Sequence, residues 1–387
     1  MNVIVEFLDR EPIENVITAM NFRLDRVIFF GYEDVKEEME NITRKFLVNY
    51  CGLTEDNVLF YSVPRTDMKE ILTTIRQTVR KQKDEGNQVF FDITGGESLP
   101  LVAFGMLAAE FRAPVHQYDV SEGTLVELDE GAPIQISTSV QRRVLKPTVS
   151  MFIEMHGGVV NSRLHKGIKT IEDEETEQMA MAMWKICSEN AKLWNQFTNL
   201  LKNYPADKTQ MTATISLAQV RAAFEKNSLL KTPKQLITLL DKCEKVGLLK
   251  NVRHENGFFG YTFPNEGIRD CLRDSGAPLE LYTYLTMRPN YTDTVLGVHL
   301  DWDGRIHTSI ASDVVNEIDV MMMDGYVPVF VSCKNGNAGK EALYELRTVA
   351  ERFGGKYARM ILVCSAPLDG VDAERAEEMG IEQMQPI

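Results

Sequence analysis

Over the first third of the chain, short apolar runs alternate with stretches of helical period. Val3 to Leu8, Arg26 to Phe30, Val58 to Val63, Val89 to Ile93 and Val115 to Val120 read as buried strands; the segments between the first four and after the fourth read as helices. Strands alternating with helices predict a mostly parallel sheet covered on both faces, which binds ligands where the strands' carboxyl ends meet the following loops. Those loops are Asp9-Arg10-Glu11-Pro12, Gly31-Tyr32-Glu33-Asp34, Pro64-Arg65-Thr66-Asp67 and Thr94-Gly95-Gly96-Glu97.

Residues 130–170 show no clean period, and Val149 to Met155, before His156-Gly157-Gly158, reads as a strand. The acidic run Glu172 to Glu177 then opens one long helix to about Asn203, with Met183, Cys187, Ala191, Trp194, Phe197 and Leu201 on one packing face. Leu217 to Lys226 and Pro233 to Val246 predict two further helices. A hairpin-like stretch with His254-Glu255-Asn256-Gly257 at its tip follows, ending near Phe263, which completes a winged-helix pattern. Beyond it, Pro278-Leu279-Glu280 opens a helix. Strands are expected at Thr294 to Leu300, Ser312 to Met323, Tyr326 to Cys333 and Met360 to Cys364, with a helix from about Ala338 to Phe353.

Composition narrows the function classes. With 387 residues, 44% hydrophobic and 25% charged, the chain is long enough for two or three globular parts and unlike disordered or collagenous sequences. The longest apolar stretch, Leu99 to Ala109, falls well short of the roughly 20 residues a membrane span needs. Glu6 interrupts any leader, so a cytoplasmic protein with no membrane partner is expected. Six scattered cysteines without a CxxC pair argue against a zinc ribbon or a disulfide framework. A formal charge of −14 excludes a polycation that coats nucleic acid, yet residues 201–260 reverse the balance, with ten Lys or Arg against five acids.

The candidate chemistry lies in two places. In Asn316-Glu317-Ile318-Asp319-Val320, Asp324-Gly325 and Val329-Phe330-Val331-Ser332-Cys333-Lys334, the Asp-Gly pair between apolar runs predicts a hairpin turn. Asp319 would then face Phe330 and Glu317 would face Ser332, so that Glu317, Asp319, Ser332 and Lys334 share one side and Ile318, Val320, Val331 and Cys333 the other. Charges on so apolar a hairpin need partners or a metal. Carboxylates suit Mg²⁺ or Mn²⁺, and a nearby ammonium can neutralise charge developing on a phosphate; the alternative is a structural ion pair to Lys334. In the first region, Thr94-Gly95-Gly96 lets backbone approach a ligand, and the helix after it presents N–H groups to an anion; a plain strand-to-helix turn is the alternative. GxGxxG, P-loop and GxSxG fingerprints are absent.

Asp319, twelve residues, then Ser332-x-Lys334 resembles the PD-(D/E)xK restriction-endonuclease core, whose pattern includes a preceding helix bearing an acid, here Glu280. The usual acid two places before the lysine is Ser332. Either a migrated carboxylate, Glu317 or Glu341, completes the site, which is the favoured reading, or the domain is weakened. Asp92-Ile93-Thr94-Gly95-Gly96, Leu300-Asp301-Trp302-Asp303-Gly304, Asn316 to Val320 and Ser332-Cys333-Lys334-Asn335-Gly336, in this order, resemble the CRISPR ancillary nucleases. That resemblance implies an α/β chain of three parts: a Rossmann-like CARF sensor over 1–170, a long helix and winged-helix linker over 171–270, and a restriction-endonuclease-like α/β domain over 271–387. It also implies a homodimer that binds cyclic oligoadenylate, most often the four-adenylate ring, and then cleaves DNA, in some members also RNA, in type III CRISPR defence. The implied activator residues are Asp9, Arg10, Thr94, Gly95, Gly96 and Glu97. The catalytic ones are Asp319, Lys334, Glu317 and Glu280, with Asp319, Glu280 and Cys333 at the metal. Coupling between the two ends would run through the long helix and the basic part. The alternatives are a CARF-type transcription regulator that binds DNA through its winged helix over an inactive scaffold, and an interaction module without catalysis.

Overall fold

The computed structural model describes residues 1–128, 134–160, 174–205, 207–224, 233–301 and 315–386. Glu172, Lys226, Lys231, Trp302-Asp303-Gly304 and the first residues of the strand expected from Ser312 lie outside them.

The first sheet contains β1 (Asn2–Phe7), β2 (Arg26–Gly31), β3 (Val58–Ser62), β4 (Gln88–Asp92), β5 (Val115–Asp119) and β6 (Thr124–Glu127), in the order β3-β2-β1-β4-β5-β6. All neighbours pair in parallel except β6, which returns antiparallel to β5. Nearly continuous burial of β1, β2 and β4 reflects helices on both faces. The strand order reverses between β1 and β4, so the crevice of this sheet opens where Phe7 and Asp92 end their strands.

After β7 (Val159–Val160) the chain makes two helices, Glu174–Glu189 and Ala191–Asn203, where one was expected. Asn190 separates them, its side-chain oxygen accepting the Leu193 N–H as an N-cap (3.0 Å). Helices Leu217–Phe224 and Pro233–Lys245 follow, beside a small antiparallel sheet of β8 (Thr212–Ser216), β10 (Phe258–Thr262) and β9 (Lys250–Glu255). Val149–Met155 is a helix and not the expected strand: the Thr148 hydroxyl caps it by accepting the Met151 N–H (3.2 Å), and five of its seven residues are buried.

The third sheet has the order β15-β14-β13-β12-β11-β7, with β11 (Asp293–Asp301), β12 (Val315–Asp324), β13 (Val327–Lys334), β14 (Arg359–Cys364) and β15 (Ile381–Met384). Helices Ala277–Met287, Lys340–Gly354 and Gly370–Glu378 flank it. Its residues divide between two cores. Met321, Met323, Phe330 and Leu362 join the core of the first sheet, whereas Met322, Val329, Val331 and Val363 join that of the helices Glu174–Glu189 and Ala191–Asn203.

Candidate functional site

The hairpin β12–β13 forms with a register shifted by two residues. Val320 pairs with Val331, Met321 with Phe330 and Asp324 with Val327, so the turn is Gly325-Tyr326. Gly325 takes a positive φ of 62°, which a tight hairpin requires at its first central position. Tyr326 fixes the choice, its hydroxyl accepting from Nδ2 of Asn21 at 2.8 Å. A shift of two preserves side-chain parity, so the charged residues still share a side. Oδ2 of Asp319 accepts the Cys333 N–H at 2.6 Å and the Ser332 hydroxyl at 3.3 Å.

Glu280 stands in the first turn of helix Ala277–Met287. Burial, then the charges of Asp319, Asp274 and Glu317, push its carboxyl well above the usual range, against the pull of Lys334. Asp319 is also pushed up by burial, offset by the Cys333 N–H and Lys334. Glu317 is exposed and faces His299 on β11, with Nε2 of His299 3.7 Å from its Oε1. The Cys333 thiol is a poor metal ligand here: it is buried, donates to Oγ1 of Thr283 (3.6 Å), and burial followed by the charge of Asp319 pushes it up, well above the usual thiol range. The contribution of Cys333 is the N–H that holds Asp319. Among the described residues no three His, Cys, Asp or Glu side chains converge into a ready metal cage. The donors nevertheless fit a hard cation, because two crowded carboxylates, both pushed up, would be relieved by positive charge. Glu341 stands apart in the first turn of helix Lys340–Gly354, beside Gly339.

Asn335, next to Lys334, lies in the Ser332 to Gly336 stretch, but the sequence assigns it no role. Its Nδ2 lies within hydrogen-bonding distance of the Ser275 carbonyl (2.8 Å) and Oδ1 of Asn195 (3.0 Å), tying the end of β13 to helix Ala191–Asn203 and to the bend before helix Ala277–Met287. His299 was missed as well, because strand pairing alone brings it beside Glu317.

At the other end, the crevice between β1 and β4 gathers the predicted activator residues. Asp92 is fully buried and accepts from the Thr94 N–H (2.7 Å) and the Thr18 hydroxyl (2.5 Å), with Nε2 of His116 at 3.3 Å. Thr94 accepts the Tyr118 N–H through Oγ1 (2.9 Å). A Cβ on Gly95 would stand 2.9 Å from Oε2 of Glu14 and 3.4 Å from Cβ of Asp9. Gly96, at φ +130°, would bring one to 3.0 Å from Phe7 and Leu101. Asp9 is held by Asn15, whose Oδ1 accepts its N–H (2.8 Å). Arg10 pairs with Asp34 (2.7 Å) and Glu38 (3.1 Å). Arg65, in a loop marked by the strand pattern but not chosen there, also binds Asp34 (2.7 Å), lies 4.1 Å over the Tyr32 ring and reaches Glu97 at 3.5 Å. The crevice therefore presents two half-exposed guanidinium groups beside bare backbone.

No helix among the described residues is long and apolar enough to cross a membrane. No protein-family model matches the chain, and no curated protein does. Solved structures do. Protein VC1899 from Vibrio cholerae is 19% identical with a TM-score of 0.75, over 100% of this chain and 94% of that one. Can2 from Sulfobacillus thermosulfidooxidans, solved in complex with cyclic tetra-adenylate, is 16% identical at 0.64, over 99% and 95%. A type III CRISPR defence DNA nuclease activated by cyclic oligoadenylate is 14% identical at 0.51, over 94% of this chain and 45% of that chain. The chain thus shares, along practically its whole length, the mixed α/β fold of VC1899 and Can2.

Proposed function

We propose that the chain is a cyclic oligoadenylate-activated, divalent-metal-dependent nuclease of type III CRISPR defence, acting on DNA. The observation that carries this reading is the hairpin. In a fold shared with a protein solved with cyclic tetra-adenylate, Asp319 and Glu280 crowd together within the field of Lys334 on otherwise apolar strands. Asp319 and Glu280 would hold Mg²⁺ or Mn²⁺, which when bound supplies a Lewis acid and a water of lowered pKa. The chain's own groups do the rest. The Cys333 N–H and Ser332 hydroxyl fix the Asp319 carboxylate, and the Lys334 ammonium neutralises charge that grows on the scissile phosphate. Ser332 here supports the carboxylate as a hydrogen-bond donor, which fits a migrated acid better than decay.

A homodimer is supported by helix Ser98–Phe111, directly after Gly96. Leu99, Val102 and Met106 are 37%, 53% and 53% exposed along one stripe, and pairing these helices would bring two Thr94-Gly95-Gly96 loops together. The exposed strand β9, with Lys250, Arg253 and His254, suits a winged-helix contact to nucleic acid. The test is cleavage of plasmid and of labelled single-stranded DNA and RNA, with and without cyclic tetra-adenylate and Mn²⁺. Stimulated cleavage that chelation abolishes supports the reading. Activator-dependent DNA binding without cleavage would replace it with a ligand-gated transcription regulator.

A further inference from the structure

The crevice and the third sheet touch directly, through a charged contact that neither the sequence pattern nor the site above uses. Lys356 belongs to the short turn Gly355–Tyr357 between helix Lys340–Gly354 and β14. Its N–H donates to Oε2 of Glu11 (2.9 Å), and its Nζ lies 2.7 Å from Oε1 of Glu14, which also accepts the Tyr357 hydroxyl (2.6 Å). A side chain at Gly355 would overlap the Glu11 carboxylate, so the root of Lys356 is fixed against the crevice.

The two ends of this ion pair differ. The Glu14 side chain is 2% exposed, and its Oε2, without a partner, lies under Gly95. The Lys356 side chain is 57% exposed, so its ammonium can turn away from Glu14 without leaving solvent. Solvent screens the exposed lysine end of the pair, whereas the buried Glu14 end keeps its need for a partner. An ammonium offered a phosphate oxygen gains a charge-assisted bond in return, while Glu14 keeps the Tyr357 hydroxyl.

We propose that Lys356 is an activator-binding residue supplied by the third sheet: it exchanges Glu14 for a phosphate of the ring held at Thr94-Gly95-Gly96. The inference rests on the reading of the crevice as a cyclic oligoadenylate site. It makes the link between the two ends local, because Lys356 leads into β14, which pairs with the strand that carries Lys334. Ring binding then draws on the turn before β14, without passing through the helices Glu174–Glu189 and Ala191–Asn203.

The test is the affinity of the full chain for cyclic tetra-adenylate, measured by calorimetry, for Lys356→Gln, Lys356→Arg and Glu14→Gln, with folding checked by circular dichroism. Loss of one phosphate contact should weaken binding about tenfold in Lys356→Gln, and Lys356→Arg should stay near the parent. Glu14→Gln frees the lysine and should tighten binding. A merely structural ion pair gives both neutral variants the same direction or no change, and either result overturns the proposal. Should Lys356→Gln not fold, Glu14→Gln decides alone: tighter binding supports the exchange, and weaker or equal binding refutes it. A parent chain that does not bind the ring overturns the crevice reading and this inference with it, whereas a parent that binds with unaltered variants overturns the inference only.

Discussion

The crevice of the first sheet and the hairpin of the third carry opposite electrostatic demands. Around Thr94-Gly95-Gly96 the cations Arg10 and Arg65 share Asp34 and reach Glu38 and Glu97 as well, so an arriving anion competes for guanidinium groups that are already engaged. On β12 and the facing helix, carboxylates crowd, and burial pushes both Asp319 and Glu280 up, so that added positive charge would be favoured there. Under the proposed function, one end would take an anion and the other a cation, and a phosphate-rich signal and a divalent metal would not compete for the same residues.

The hairpin end offers the largest way to break this contrast. Asp319→Ala and Lys334→Ala should each lower metal-dependent cleavage by about a thousandfold or more, since each removes charge stabilisation at the reacting phosphate. Both should still bind cyclic tetra-adenylate. Cleavage retained in both variants would move the catalytic centre elsewhere. The acids should rank by burial: Glu280→Gln should cost more activity than Glu317→Gln, because Glu317 is exposed and Glu280 stands in the field of three other carboxylates. The reverse order would make Glu317 the second ligand.

The crevice end is next. Gly95→Val would drive Cβ into Glu14, and Gly96→Val would impose a branched side chain at φ +130° against Phe7. Either should abolish both ring binding and stimulated cleavage, with unstimulated cleavage serving as the control for fold. A variant stimulated like the parent would place the activator elsewhere.

How much of this was legible depended on whether one interaction or several fixed the element. β1, β2 and β4 are buried on both faces, and β3 and β5 still carry apolar residues in short runs, so the five strands were found within a residue or two. Val149–Met155 was misjudged because a seven-residue apolar run has no period that separates strand from buried helix, and the Thr148 cap decides. Asn190 in the middle of a helical stripe gave a real cap signal that the continuous stripe concealed. The hairpin register slipped because Asp-Gly is the commoner turn pair, while the contact of Tyr326 with Asn21, 305 positions away, selects Gly325-Tyr326. The shared side of Asp319, Ser332 and Lys334 survived that error since parity repeats every two residues. The roles of Arg65, Asn335, His299 and Lys356 were out of reach, although Arg65 and Asn335 lie in stretches the sequence marks: each gains its meaning from a partner elsewhere in the chain.

A smaller effect is expected in the basic part. Lys234 opens helix Pro233–Lys245 exposed, and Arg253 is exposed on β9. If they contact phosphates, Lys234→Ala and Arg253→Ala should each weaken DNA binding for all sequences alike and reduce the salt slope by about one. An unchanged slope, read from affinities at several salt concentrations, would leave this part a spacer between the two ends.

The finest difference is a proton. Glu11, buried where the first and third sheets meet, is pushed up to about 7 from 4.5, chiefly by burial, against the pull of the Lys356 N–H. Between these values the folded chain holds a proton that the unfolded chain has released, so stability falls as pH rises through that window and levels off above it. Glu14, raised by burial despite Lys356 and Tyr357, adds in the same direction. His156, whose Nε2 is 3.9 Å from Oε1 of Glu11, is lowered to about 4 from 6.5 by burial and opposes them below pH 6.5, where the unfolded chain takes up the proton. The net slope of the parent chain is therefore ambiguous, and the informative quantity is a difference. Glu11→Gln keeps an acceptor for the Lys356 N–H and removes only the titration at this position. Its melting temperature relative to the parent should climb from pH 5 to pH 7 and then stay level. A difference that does not change with pH would mean that Glu11 is ionised throughout, and that the junction between the crevice and the third sheet is wetter than its burial implies.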